Sequence, residues 1–280
     1  IIPHQLKDFK EIFNVMEGKT VTVRLLDPPL HEFLPHKDEF PEVAKRLDIS
    51  VEKLEETVDS LHEFNPMLGH RGCRLAVTYP EITVMQVKAI ILAAIDVVKA
   101  GKTIKPEIMI PLVSDVSELN YLKPYVIETA DALIKEAGVE LEYKVGTMIE
   151  TPRAALTASQ IGAEADFFSF GTNDLTQMSY GFSRDDAGKF LKEYKEKELM
   201  KKDPFQAVDQ DGVGRLVALA SEEGRNANAN LNIGVCGEHG GEPSSIEFFH
   251  NAGVDYVSCS PFRVPVAIIA AAQAQLKNKR

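Results

Sequence analysis

Short runs of β-branched, aromatic and small residues recur along the chain, and each is followed by a turn and a helical pattern. The runs are "KTVTVRLLD" (19–27), "EIMIPLVS" (107–114), "YKVGTMIE" (143–150), "FFSFG" (167–171), "NIGVCGE" (232–238) and "DYVSCSP" (255–261). Between them lie helices. "SVEKLEETVDSLHEF" (50–64) places Leu54, Val58 and Leu61 at helical spacing, with Ser50 as N-cap. "ITVMQVKAIILAAIDVVKAG" (82–101) is mostly apolar and closes at Gly101. "ELNYLKPYVIETADALIKEAG" (118–138) is a helix bent near Pro124 and ended by Gly138. Thr151 and Pro152 read as an N-cap and first helical residue, and an alanine-rich helix covers about 264–276. Strands short and apolar on both faces, alternating with helices, argue for a parallel sheet covered by those helices.

Polar residues collect where the strands end, at Arg24, Glu150, Asn173, Asp174 and Glu238. That loading favours a (β/α) barrel with its site at the C-terminal mouth over a doubly wound sheet. The 280 residues suffice for one large barrel or two small domains. The charged interval 182–212 reads as a solvated surface excursion.

The net charge of −11 argues against binding nucleic acid or anionic membrane. An anionic substrate therefore needs placed arginines. The three cysteines, Cys73, Cys236 and Cys259, lack framework spacing, which suggests reduced thiols and a cytoplasmic setting. No apolar run reaches membrane-spanning length. The start "IIPHQLKDFK" has neither signal-peptide character nor an initiator methionine, so a fragment or processed product is expected. The end "KNKR" is not a peroxisomal signal.

Glu150 and Asp174 close consecutive strands, and neighbouring strands lie roughly 4.8 Å apart, so the two carboxylates can share one ion. Oxygen ligands without nearby His or Cys suit Mg²⁺ or Mn²⁺. Each carboxylate alone could equally cap a helix. Gly171, Thr172 and Asn173 could lay backbone and side-chain donors against a small carboxylate; on pattern alone, a tight turn explains them better. Arg24, Arg71 and Arg74 are clamp candidates for carboxylate or phosphate, although a single arginine is more often a surface residue. Cys236, late in a strand before the glycine-rich "GEHGGEP", is either a packed thiol or a proton donor and acceptor over the metal. Cys73 and Cys259 read as packing, and nothing local makes His239 a phosphocarrier.

Together "VRLLDPPLHEFLP", "NPMLGHRGCRL", "MIETPRAAL", "FFSFGTNDLTQ", "GVCGEHGGEPSS" and "YVSCSPFRVPVA" resemble the C-terminal domain of the pyruvate, phosphate dikinases, over essentially the whole chain. Phosphoenolpyruvate synthases and enzyme I of the sugar phosphotransferase system share parts of the pattern. The resemblance implies one phosphoenolpyruvate/pyruvate-binding (β/α)₈ barrel domain over 1–280, lacking its first two strands here and unstable alone. It implies Mg²⁺ on Glu150 and Asp174, and substrate on Arg24, Arg71 and the loop Gly171, Thr172, Asn173 and Asp174. It makes Cys236 the acid/base at the enolate carbon. The implied partners are pyruvate or phosphoenolpyruvate, a phosphohistidine domain elsewhere in the enzyme, and a second copy in a homodimer. Rival readings are a Mg²⁺-dependent lyase acting through a pyruvate enolate, and a binding or dimerisation domain without turnover.

Overall fold

The computed structural model describes residues 1–280, apart from the side chain of His31. Among the described residues, six strands form one sheet in chain order. They are β1 (Thr20–Arg24), β2 (Lys105–Ile110), β3 (Lys144–Ile149), β4 (Phe167–Gly171), β5 (Asn232–Cys236) and β6 (Tyr256–Val257). Every neighbouring pair is parallel. Each expected run overlaps one strand. All but the 167–171 run extend past the strand's end, most of all 255–261, where β6 has two residues; in 107–114 the strand stops before Pro111, because proline cannot donate to the ladder.

Alternation along the strands sorts the side chains onto two faces. Ile108, Ile110, Val145, Ile149, Phe168 and Val235 share one core with Val87, Ile90, Leu119 and Val217 of the covering helices. The alternate residues Met109, Met148 and Phe167 form a separate inner cluster with Cys236. The inner face is narrow because the sheet curls. Tyr256 on β6 lies near Thr22 on β1 and Glu107 on β2, across the concave side. The fold is thus α/β with a curled parallel sheet, consistent with a barrel of the phosphoenolpyruvate-binding kind.

Two inner-face glycines make that curl possible. A Cβ on Gly146 would lie 2.4 Å from the Phe167 carbonyl oxygen, and one on Gly234 would lie 2.2 Å from the Tyr256 ring. The first obstacle is backbone and cannot yield. Gly146→Ala is therefore expected to cost about 3 kcal/mol, the upper range for overpacking. A thermal melt should show the midpoint lowered by roughly 5–10 °C.

The capping expectations hold. Ser50 accepts from the Lys53 amide and Thr151 from the Ala154 amide, while Gly138 ends its helix with φ 64°. Helices at Ile2–Val15, Phe40–Leu47 and Val213–Ala227 add to those expected. The 182–212 interval is not simply a solvated excursion. It holds a helix, Gly188–Glu196, and it buries Ala187, Phe205, Ala207 and Val208. The Val208 amide donates to Ser245 Oγ, 2.9 Å away, which pins this segment to the Pro243–Asn251 helix. No helix among the described residues is long and apolar enough to cross a membrane.

Candidate active site

Four strand ends and one insertion bring the expected residues together. Arg24 is the last residue of β1, Glu150 follows β3, Gly171 ends β4 and Cys236 ends β5. Gly171 and Cys236 are register partners on adjacent strands. Arg71 comes from the long insertion after β1, at the N-cap of the Gly72–Thr78 helix. Thr172, Asn173 and Asp174 are not a loop. They form the first turn of the Thr172–Tyr180 helix. An acid there faces the positive end of the helix dipole, and the chain turns without a linker from strand to helix. Gly171 also has a more local task than ligand approach. A Cβ at 171 would sit 2.2 Å from Glu150 Oε2 and 2.6 Å from Met148 Cε, so the glycine makes room for the neighbouring carboxylate.

Arg71 organises the site. Only 2% exposed, it donates from Nη1 to Asp27 Oδ2 at 2.8 Å, from Nε to the Met67 carbonyl at 2.8 Å, and from Nη2 to Asp174 Oδ1. Exposed Arg24 reaches the same Asp27 oxygen at 3.0 Å. Asp27 thus holds both arginines, and the sequence reading passed over it. Its signal was an acid at the end of the run "KTVTVRLLD", before Pro28 and Pro29.

Glu150 is wholly enclosed. Its Oε1 accepts from the Leu112 amide at 2.7 Å. Burial, then the charges of Asp174 and Asp27, push its carboxyl up to about 8. Burial raises Asp174 as well, against the pull of Arg71. Three carboxylates therefore share a confined space with two guanidinium groups, and Asp27 Oδ1 has no partner. A hard divalent cation fits that imbalance. No group of three or more His, Cys, Asp or Glu that could hold a metal forms among the described residues. Mg²⁺ does not require one, because it is commonly held by one or two carboxylates, with substrate and water completing the shell.

Cys236 lies over the same space. Burial pushes its thiol up to about 11, with Glu150 adding to the rise and a Ser169 hydrogen bond opposing it. The thiol therefore stays protonated through neutral pH. The Thr172 hydroxyl donates to the Cys236 carbonyl at 3.1 Å, which fixes the first turn of the helix to the end of β5. Gly237 has φ 103°, and a Cβ there would meet Thr172 Oγ1 and Asn173 Oδ1 at 3.0 and 3.2 Å.

Other candidates fall outside this group. Arg74 donates to the Leu68 and Gly69 carbonyls and braces the insertion. Buried Cys73 contacts the Leu112 carbonyl. His239 is buried with Nε2 on the Pro204 carbonyl, a structural placement.

Residues 1–276 match the family of PEP-utilising enzymes, over its PEP-binding domain. The chain belongs to the PEP-utilising enzyme family. Its relatives in that family include "Pyruvate, phosphate dikinase" from Clostridium symbiosum, 57% identical over 100% of this chain and 32% of the relative. The Rhizobium meliloti (strain 1021) protein of that name is 55% identical over 100% of the chain and 31% of its own length. The chloroplastic enzyme of Flaveria bidentis is 56% identical over 98% and 29%. The chain thus spans about a third of the length of these relatives.

Proposed function

We propose that this chain is the phosphoenolpyruvate/pyruvate-binding catalytic domain of a pyruvate, phosphate dikinase. In this reading it transfers a phosphoryl group between a phosphohistidine on another domain and the enolate oxygen of pyruvate. The carrying observation is the convergence of Glu150, Asp174, Arg24, Arg71 and Cys236 on one strand-end mouth, in a chain more than half identical to named dikinases.

Glu150 and Asp174 are the residues that would hold Mg²⁺ or Mn²⁺. The cation supplies positive charge for the enolate oxygen when bound. Arg24, open to solvent, pairs with the phosphoryl group as it passes between histidine nitrogen and enolate oxygen. Arg71 supports the substrate carboxylate from behind while it holds Asp174 and Asp27 in place. Gly171, Thr172 and Asn173 frame that carboxylate at the start of a helix, where backbone donors and the dipole favour an anion. Towards pyruvate, the O–P bond breaks, the phosphoryl group returns to the histidine nitrogen, and Cys236 gives its proton to the enolate carbon. A thiol that rests protonated suits this direction. Towards phosphoenolpyruvate, the thiolate takes a methyl proton before the new O–P bond forms.

The wider assembly belongs to the same proposal. Residues 1–280 form one barrel domain whose two edge strands, each paired on one side, are covered by further polypeptide. A homodimer is supported by the Val264–Lys277 helix, which exposes Val266, Ile268, Ile269 and Leu276 beside Phe262. The three free thiols support a cytoplasmic setting.

The test is proton exchange. With Mg²⁺ in D₂O, the full-length protein should wash out the methyl protons of pyruvate, followed by NMR, and should do so without C–C cleavage. Aldol-type products would favour the lyase reading. Absence of exchange would leave a binding domain.

A further inference from the structure

Among the described residues, Asp48, Leu112 and Glu198 alone combine a side chain with a positive φ. Asp48 and Glu198 are exposed and lie at helix ends. Leu112 is different. It is wholly buried, it follows β2, and its φ of 61° lies where an L residue's Cβ clashes with its own backbone. Only surrounding contacts can hold it there.

Those contacts come from one turn. The Cys73 amide donates to the Pro111 carbonyl at 3.2 Å, and Cys73 Sγ contacts the Leu112 carbonyl at 3.3 Å. Gly72, itself at φ 56°, packs so tightly that a Cβ would lie 2.8 Å from Leu112 Cβ and 2.9 Å from Asp27 Oδ1. The residue before it is Arg71. The left-handed turn aims the Leu112 amide at Glu150 Oε1, 2.7 Å away. One clasp, Arg71–Gly72–Cys73 against Pro111–Leu112, therefore sets both the guanidinium that holds Asp174 and the carboxylate of Glu150.

We propose that Leu112 is a positioning residue: its left-handed backbone, held by the Gly72–Cys73 turn, fixes the Glu150 carboxylate in the orientation that receives the cation. This rests on the reading of Glu150 as a cation ligand.

The test compares Leu112→Val with Leu112→Gly in the full-length protein. Mg²⁺-dependent binding of oxalate, a planar stand-in for the enolate, is measured by calorimetry, and stability by thermal melting. Valine keeps most of the side chain but is a poor left-handed residue; glycine removes the side chain but adopts this backbone freely. Leu112→Val should weaken binding more than Leu112→Gly does, because a β-branched side chain at positive φ is a stronger outlier than leucine. Leu112→Gly should melt lower than Leu112→Val yet bind within about threefold of the parent, since its backbone donor stays in place. A residue that merely packs would give the reverse order in binding, and that result overturns the proposal. So does a Leu112→Val protein that binds as tightly as the parent. If Leu112→Gly does not fold, Cys73→Ala must weaken oxalate binding and Cys73→Ser restore it, or the clasp has no such role. A parent protein that fails to bind oxalate with Mg²⁺ removes the cation reading itself, and this proposal with it.

Discussion

The Cys236→Ser protein is expected to bind oxalate with Mg²⁺ nearly as the parent does, yet to exchange the methyl protons of pyruvate at least about a hundredfold more slowly, the lower range for loss of a general acid/base. The side chain changes little in size, and the neighbouring Thr172 contact uses the backbone carbonyl of 236, which the substitution keeps. Proton transfer is what changes. Burial pushes the thiol up to about 11, whereas a serine hydroxyl is a far weaker acid still. NMR in D₂O reads exchange and calorimetry reads binding, so the two effects separate. A serine protein that exchanges at the parental rate would make Cys236 a packing residue of the inner cluster with Met109, Met148 and Phe167.

Glu150→Gln is expected to abolish Mg²⁺-dependent oxalate binding while leaving the fold as stable as before, or more so. Burial and two neighbouring carboxylates already disfavour the charge on Glu150. A neutral amide of the same shape avoids that cost, and its oxygen can still accept from the Leu112 amide. Cation binding, which depends on the charge, should fall by on the order of a hundredfold or more, the loss of a paired ionic interaction of a few kcal/mol. Asp174→Asn should lose the cation too but also melt lower. It deprives the buried Arg71 of one of its two carboxylates, and a buried charge left short of partners is costly. Unchanged calorimetric titrations in both variants would refute the metal assignment.

The sheet was legible because period and residue type agree locally. The run "FFSFG" coincides with its strand, and "NIGVCGE" outlasts its strand by two residues. Glu150, Asp174, Arg24 and Cys236 were legible because strand ends concentrate chemistry in such folds. What escaped depends on distant contacts. Nothing local marks Leu112 as left-handed, since the turn that holds it lies about forty residues earlier. Asp27 shows its meaning only when Arg24 and Arg71 both reach it. The first turn after Gly171 resembled a loop because Thr, Asn and Asp favour turns as readily as helix starts. The burial of Phe205 and Val208 was masked by the lysines and glutamates around them.

The serial pairing of the strands has a consequence for how the polypeptide acquires its shape during synthesis. Each strand bonds to the one made just before it, so every new strand–helix unit finds a template already in place as it leaves the ribosome. No internal pairing waits for a remote segment. The exception is the meeting of Tyr256 with Thr22 and Glu107, which joins the last strand to the first two. That step closes a loop of most of the chain, and loop-closure entropy puts it late. The approach joins side chains and pairs no backbone, so both outer strands still present bare edges to other nascent chains, and it is these edges that a chaperone has most to protect.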